Sequence, residues 1–470
     1  MKRKQIVSGI LAISLVCGLT ACKSVEASEP ESDTTTTTGV TINTSEFSDE
    51  DKEAINQAAD EKISGELENK TIKWMANWDI NPDNTGKSKS AELTMFEEKF
   101  GGTVKYYPTT FENQYSDLST AILGGEGIDF FPIGSLGYYI NGIVNGMFQP
   151  VDEYVDFSSE LWSNVKNAND MLMINGKHYS LVHSVTAGEV VIYNKKTIED
   201  HGLEDPVELL ENGNWNWDTY NNMLAEFVDN ESGLYGIDGW WIEQPIYLTT
   251  GKSLISLDNG VVSSNLKSPE IDRAMNYIYD LNKNEYLIDK EMFGWKTNEQ
   301  FIGSGEELFF PCGLWTLWKE KSLWVDVFGE DVMFVPMPKD PDADKYYLPG
   351  GLEGYVMCKG AQNPEGVVKF LECTLTVAQD EELNELNKQR NIDDYGWRED
   401  MVDMMFRIND MTRENPVFEL YAGASTDIKS LLDTAKKAAS SGTEWNSTVS
   451  TYSDTIDMLV DEINQKIAAQ

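Results

Sequence analysis

The sequence predicts an α/β fold in two lobes, and three observations carry that prediction. Between residues 71 and 133, short apolar runs with strand character alternate with stretches of helical periodicity, the pattern of a parallel sheet with crossover helices. The chain has 470 residues, and the part beyond residue 68 carries most of its 13 Trp, 20 Tyr and 18 Phe. A folded region of that size exceeds one hydrophobic core and divides.

Taken in order, the first element is not part of the fold. Lys2, Arg3 and Lys4 precede an apolar run over residues 6–16, and Leu19-Thr20-Ala21-Cys22 follows. The run is too short to span a membrane. Charge, length and cysteine position together resemble the bacterial lipoprotein signal. The resemblance implies removal of residues 1–21, acylation of Cys22, and two lipid chains that hold the mature protein on the extracellular face of the cell membrane. Residues 22–68 are rich in Ser, Thr, Glu and Asp, including the run Thr34 to Thr38, and read as a flexible linker. Within it, residues 49–63 have some helical character, but their charge density favours solvation.

The first lobe begins with a strand at 71–75. A helix at 91–100 follows, with Leu93, Phe96 and Phe100 on one face and Gly101-Gly102 as its stop. A second strand at 103–107 leads to Tyr115, Leu118 and Ile122 at helical spacing, and residues 128–133 form a third apolar run. Ligands of such sheets sit beyond the carboxyl ends of the strands, here Trp78-Asp79, Pro108-Thr109 and Gly134-Ser135. Farther on, Ser268-Pro269-Glu270 and Asn363-Pro364-Glu365 are helix starts. Ile456, Leu459, Val460, Ile463 and Ile467 make a closing apolar stripe.

Composition removes several functional classes. With 37 basic and 79 acidic residues the formal charge is −42, a surface that repels nucleic acid and polyanions. Once Cys17 and Cys22 are set aside, Cys312, Cys358 and Cys373 remain in apolar contexts, which suits buried thiols better than disulfides. The histidines are His178, His183 and His201, none spaced i, i+4, so neither a histidine metal site nor a His-activated nucleophile is expected. Gly86-Lys87-Ser88 and Gly251-Lys252-Ser253 lack the earlier glycine of a phosphate loop. The ladders Asp340/Asp342/Asp344 and Asp79/Asn81/Asp83 lack the closing glutamate of a calcium loop. A glycosidase pair needs only two carboxylates about 5 to 9 Å apart, so sequence leaves a secreted glycoside hydrolase as a remote alternative. A surface adhesin is disfavoured because there is no internal repeat.

The order of motifs then becomes recognisable. Gly176-Lys177-His178-Tyr179, Val191 to Lys196, Asn216-Trp217-Asp218, Tyr235-Gly236, Phe301 to Gly305, Cys312-Gly313-Leu314-Trp315, Val332 to Pro338 and Gly350-Gly351 follow one another as in the family 1 extracellular solute-binding proteins, relatives of the maltodextrin-binding proteins. The resemblance runs from about residue 70 to 375. It implies a type II, periplasmic-binding-protein-like fold with a ligand cleft between lobes joined by crossing strands. Lobe 1 would hold residues 69–182 and 352–393, and lobe 2 residues 183–351 and 394–470. It further implies a monomer without catalytic activity or cofactor that passes a carbohydrate, most simply an oligosaccharide, to an ABC permease. A peptide, polyamine or other organic cation is the alternative ligand.

Carbohydrate sites pair flat aromatics with carboxylates and amides, since sugars present C–H faces and hydroxyl rims. On that basis Trp315, Trp240, Trp241 and Trp78 are the expected stacking residues, with Trp315 in the motif that resembles the sugar-stacking tryptophan of the maltodextrin binders. Asp129, His183 and Glu353 are the polar candidates. Each also has a structural reading, Asp129 as a cap, His183 within the hinge and Glu353 paired with a lysine. Trp162, Trp215, Trp217, Trp318 and Trp324 are expected in packing or on helix surfaces.

Overall fold

The computed structural model describes residues 47–82, 89–134, 136–238, 242–293, 300–317 and 323–470. In chain order its strands are β1 (Thr71–Ala76), β2 (Thr103–Pro108), β3 (Phe130–Pro132), β4 (Ser180–Ala187), β5 (Val190–Asn194) and β6 (Tyr235–Ile237). They continue with β7 (Ile255–Asp258), β8 (Val261–Ser264), β9 (Glu307–Cys312), β10 (Val332–Pro336), β11 (Leu348–Met357) and β12 (Pro416–Val417). One sheet has the order β12-β11-β3-β1-β2, with β4 also paired to β11, and a second has the order β10-β5-β9-β6. The strands β7 and β8 form a separate antiparallel pair.

The first sheet assembles as the alternating pattern demands. The parallel pairing of β1 and β2 runs from Thr71↔Thr103 to Ala76↔Pro108, and β3 joins β1 in parallel at Trp74↔Phe130. Helix Ala91–Phe100 makes the first crossover. Ser90 accepts the Leu93 N–H at its start, and Gly101 ends it at φ 60°, a left-handed conformation that glycine adopts without strain. Gly102 has a different task, because a β-carbon there would lie 2.3 Å from the Phe96 ring. Leu93, Phe96 and Phe100 are buried, and Phe96 meets Phe370 of helix Pro364–Gln379 edge-on at 5.5 Å. Only Phe130–Pro132 of the third apolar run carries strand pairing.

The two faces of this sheet belong to different cores. One face packs Trp74, Phe96, Phe130, Tyr355 and Phe370 beneath helices Ala91–Phe100 and Pro364–Gln379. The opposite face, with Leu118, Phe131 and Tyr139, is continuous with Val191, Phe309 and Val335 of the second sheet and with Ile456 and Ile463 of the last helix, Trp445–Ala468. The two sheets therefore share packed side chains in addition to connecting strands.

The connection itself is built from β4 and β11, which pair antiparallel from Gly350↔Ala187 to Val356↔Ser180. The register shifts at Glu353/Gly354, so His183 is the extra residue of a bulge. Gly354 permits it, since a β-carbon there would lie 2.7 Å from Val182 Cα. Only Gly188 and Glu189 separate β4 from β5, so the chain passes almost directly from one sheet into the other.

The expected linker is shorter than residues 22–68. Helix Asp49–Lys62 is part of the fold, opened by a reciprocal capping box between Ser48 and Asp51. Ile55, Ala58 and Ala59 recur at helical spacing and are buried against the first core. The charges that argue for solvation lie outward, where Lys99 donates to Asp60 at 2.7 Å. Three small apolar residues on one stripe are enough to dock a helix that already has a surface to receive it. In the Asp340/Asp342/Asp344 ladder, Asp340 is fully buried against the Arg273 guanidinium. Trp162, Trp215 and Trp217 pack in the interior, and Cys312, Cys358 and Cys373 are buried free thiols.

Candidate functional site

Strand direction decides where the site lies. β1, β2 and β3 are parallel, so residues beyond Ala76, Pro108 and Pro132 emerge on one edge of the first sheet. Because β11 runs against β3, and β4 against β11, the start of β11 and the end of β4 lie on that same edge. In the second sheet Val190 pairs with both Cys312 and Pro336, which puts the ends of β9 and β10 beside the start of β5. β6 is parallel to β9 and ends there too. The carboxyl edges of both sheets thus converge on the crossing strands, which is where ligands of open α/β sheets bind.

The expected residues distribute unevenly around that edge. Trp78 follows β1, is 43% exposed, and stands edge-on to Trp74 at 4.9 Å. The Trp74 Nε1–H donates to the Trp78 carbonyl at 3.0 Å and fixes the backbone beneath the exposed ring. Trp315 follows β9 on the short turn Leu314–Thr316 and is 52% exposed. Its indole folds over Gly313, where a β-carbon would lie 2.2 Å from Nε1 and 3.3 Å from the Gly188 carbonyl oxygen. Gly313 adopts φ −73°, so what it contributes is the missing side chain and not unusual backbone freedom. Trp240 and Trp241 lie outside the described residues, as does Cys22.

His183 and Glu353 meet at the bulge. The His183 ring is half-buried and lies 5.5 Å from the Tyr355 ring, and burial lowers its pKa to about 4, which leaves it neutral at pH 7. Glu353 pairs with Ser184 in the ladder and is exposed. Desolvation by nearby protein raises its pKa, the Arg413 charge works against the rise, and Glu92 adds to it. Arg413 Nε donates to the Val185 carbonyl at 3.2 Å, and Asn409 accepts the Ala187 N–H at 2.9 Å. Helix Glu399–Glu414 therefore braces the first crossing strand.

Asp129 is placed elsewhere. It precedes β3 at the amino edge, where its buried carboxylate accepts the backbone N–H groups of Lys73, Gln362 and Asn363 at 2.8, 2.6 and 2.7 Å. These bonds tie β1 to the start of helix Pro364–Gln379 and occupy the carboxylate fully. Of its two sequence readings, the geometry fits the cap.

Glu189 was missed by sequence reasoning. It sits in the two-residue connection between β4 and β5, half-buried, and burial raises its pKa to about 7 against the opposing charge of Lys436. Lys436 is itself buried and donates to the Tyr421 hydroxyl at 2.5 Å. Below it Tyr247 donates to Glu419 at 2.8 Å, and Glu419 also accepts the N–H groups of Leu254 and Leu420. The available signal was a lone acidic residue between Gly188 and the apolar run Val190-Val191-Ile192 that opens β5. Among the described residues no group of three or more His, Cys, Asp or Glu is arranged to hold a metal ion, and no helix is long and apolar enough to cross a membrane.

Comparison with known proteins agrees with this geometry. The family model for bacterial extracellular solute-binding proteins matches residues 93–387. An ABC substrate-binding protein from Listeria monocytogenes in complex with cycloalternan superposes with a TM-score of 0.58 at 15% identity, over 86% of this chain and 99% of that one. A cyclic α-maltosyl-1,6-maltose binding protein from Arthrobacter globiformis superposes with a TM-score of 0.61 at 13% identity, over 84% and 98%. A binding protein from B. animalis subsp. lactis in complex with β-1,6-galactobiose gives 0.56 at 16% identity, over 84% and 98%. No curated protein matches the sequence. At these identities the structures establish the shared fold, and the match over more than half of its length places this chain in the bacterial extracellular solute-binding protein family.

Proposed function

We propose that the chain captures a carbohydrate, most simply an oligosaccharide, between its two sheets and delivers it to an ABC importer. The observation that carries this reading is the pair of exposed tryptophans, Trp78 and Trp315, on the converging edges of the two sheets. An exposed indole presents a flat apolar face to the solvent, and a sugar ring offers the C–H face that stacks on it. Glu353 and Glu189 supply acceptors for hydroxyl groups between them. The carbohydrates named for the superposed structures support the same reading. Trp240 and Trp241 are proposed as further stacking residues. The function is binding without catalysis, by a monomer that diacylation of Cys22 anchors to the outer face of the membrane.

A second reading has one observation in its favour. Glu92 and Glu353 lie close enough to repel each other, and such carboxylates would also suit a polyamine or another organic cation. A thermal-shift screen against mono- and oligosaccharides, peptides, amino acids and polyamines separates the two, because a ligand that binds only the native state raises the melting temperature by mass action. Stabilisation by oligosaccharides is expected. Stabilisation by polyamines with silence from every sugar would reverse the assignment.

A further inference from the structure

We infer that Phe111 is an outer stacking platform of the cleft, so that the site takes an elongated oligosaccharide reaching from the crossing strands to the far edge of the first sheet. The inference rests on the carbohydrate reading above and extends it to a residue that neither the sequence motifs nor the family resemblance singled out.

Phe111 is 68% exposed. That is an unusual position for a phenyl ring, and its place in the sheet gives it meaning. Ala76 of β1 and Pro108 of β2 are level in the register, so the segments carrying Trp78 and Phe111 leave neighbouring strands on the same carboxyl edge. Along that edge the order is β11, β3, β1, β2. Glu353 stands at β11, Trp78 follows β1 and Phe111 follows β2. Three strand spacings cover about 14 Å, longer than one pyranose ring. A monosaccharide held at the crossing would not reach Phe111, whereas a linear oligosaccharide laid along the edge would.

The backbone beneath the ring is already ordered. The Thr110 carbonyl accepts the N–H groups of Asn113 and Gln114 at 3.2 and 2.9 Å, and the Thr110 hydroxyl accepts Asn113 N–H at 3.2 Å. The Thr109 N–H donates to the Ala76 carbonyl at 3.0 Å, which locks the turn to β1, and the Thr109 hydroxyl donates to Asp117. A ring presented on a fixed turn loses little entropy when it is covered, which is the condition for a useful contact.

The experiment is calorimetric titration of the intact protein with linear α-1,4-glucans from glucose to maltohexaose and β-1,6-linked galacto-oligosaccharides of increasing length. Affinity of the parent should rise with chain length in at least one series. Phe111→Ala should weaken the longest members by about two- to tenfold while leaving the shortest unchanged, and Phe111→Trp should preserve the gain with length. A ring this exposed contributes little to packing, and a melting curve controls for loss of folding. An affinity independent of length, or a Phe111→Ala loss that is absent or equal at all lengths, overturns the inference and leaves the carbohydrate reading in place. If no member of either series binds and the polyamines do, the carbohydrate reading fails and this inference with it.

Discussion

The Trp315 indole lies so close over Gly313 that a β-carbon on the glycine would come within 2.2 Å of Nε1. The glycine thus sets the angle at which the ring meets solvent, and two substitutions test different consequences. Trp315→Ala should weaken carbohydrate binding by about 1 to 3 kcal/mol, as loss of an aromatic anchor does. Because the side chain is 52% exposed, the melting temperature should change little. Gly313→Ala should keep the tryptophan but tilt it, with a smaller loss of affinity. Calorimetry beside a melting curve checks both, and a collapsed melting temperature with unchanged affinity would make Trp315 a packing residue.

Glu189 and His183 oppose each other in pH dependence. Burial raises the Glu189 pKa from 4.5 to about 7, so between those values the unfolded chain has released a proton that the native protein keeps, and stability falls as pH rises. Burial lowers the His183 pKa from 6.5 to about 4, so over that window the native protein binds less proton than the unfolded chain and stability rises with pH. The two slopes largely cancel. Glu189→Gln should therefore make stability between pH 5 and 7 rise more steeply than in the parent, and His183→Asn should make it fall, each by about 1 to 2 kcal/mol across the window. Denaturant titrations at several pH values give the differences directly, and parallel curves for parent and variants would exclude both perturbed groups.

Asp129 should matter to folding and not to the ligand. Asp129→Ala would leave three backbone N–H groups, one buried and two part-buried, without their acceptor, at a cost of about 2 to 4 kcal/mol. Denaturation measures that loss, and carbohydrate affinity of the remaining folded protein should equal that of the parent. Weakened affinity at full occupancy of the native state would return Asp129 to the ligand site.

Cys22→Ser should release the protein from the membrane fraction of cells, since the substitution removes the thiol proposed to carry both lipid chains. Fractionation followed by detergent phase separation provides the readout. A variant still partitioning with detergent would place the anchor elsewhere.

The sequence by itself determined the elements whose information is local. Ser90, Ser268 and Asn363 start helices because a side-chain oxygen can accept a nearby N–H whatever surrounds it. Alternation of apolar runs with helical stripes fixed the parallel part of the first sheet, β3-β1-β2, and with it the edge on which Trp78 emerges. Helix Asp49–Lys62 was legible only in part, because its docking depends on a surface contributed by distant residues such as Phe370. Tertiary structure alone separated Asp129 from Glu353. One precedes a strand and the other lies within one, and only the antiparallel register of β11 against β3 sends Asp129 to the amino edge and Glu353 to the crossing. The same holds for Glu189 and Phe111, whose neighbours in space, Lys436 and β1, come from other parts of the chain. Desolvation and strand register are properties of such assembled surroundings, so a linear pattern carries no record of them.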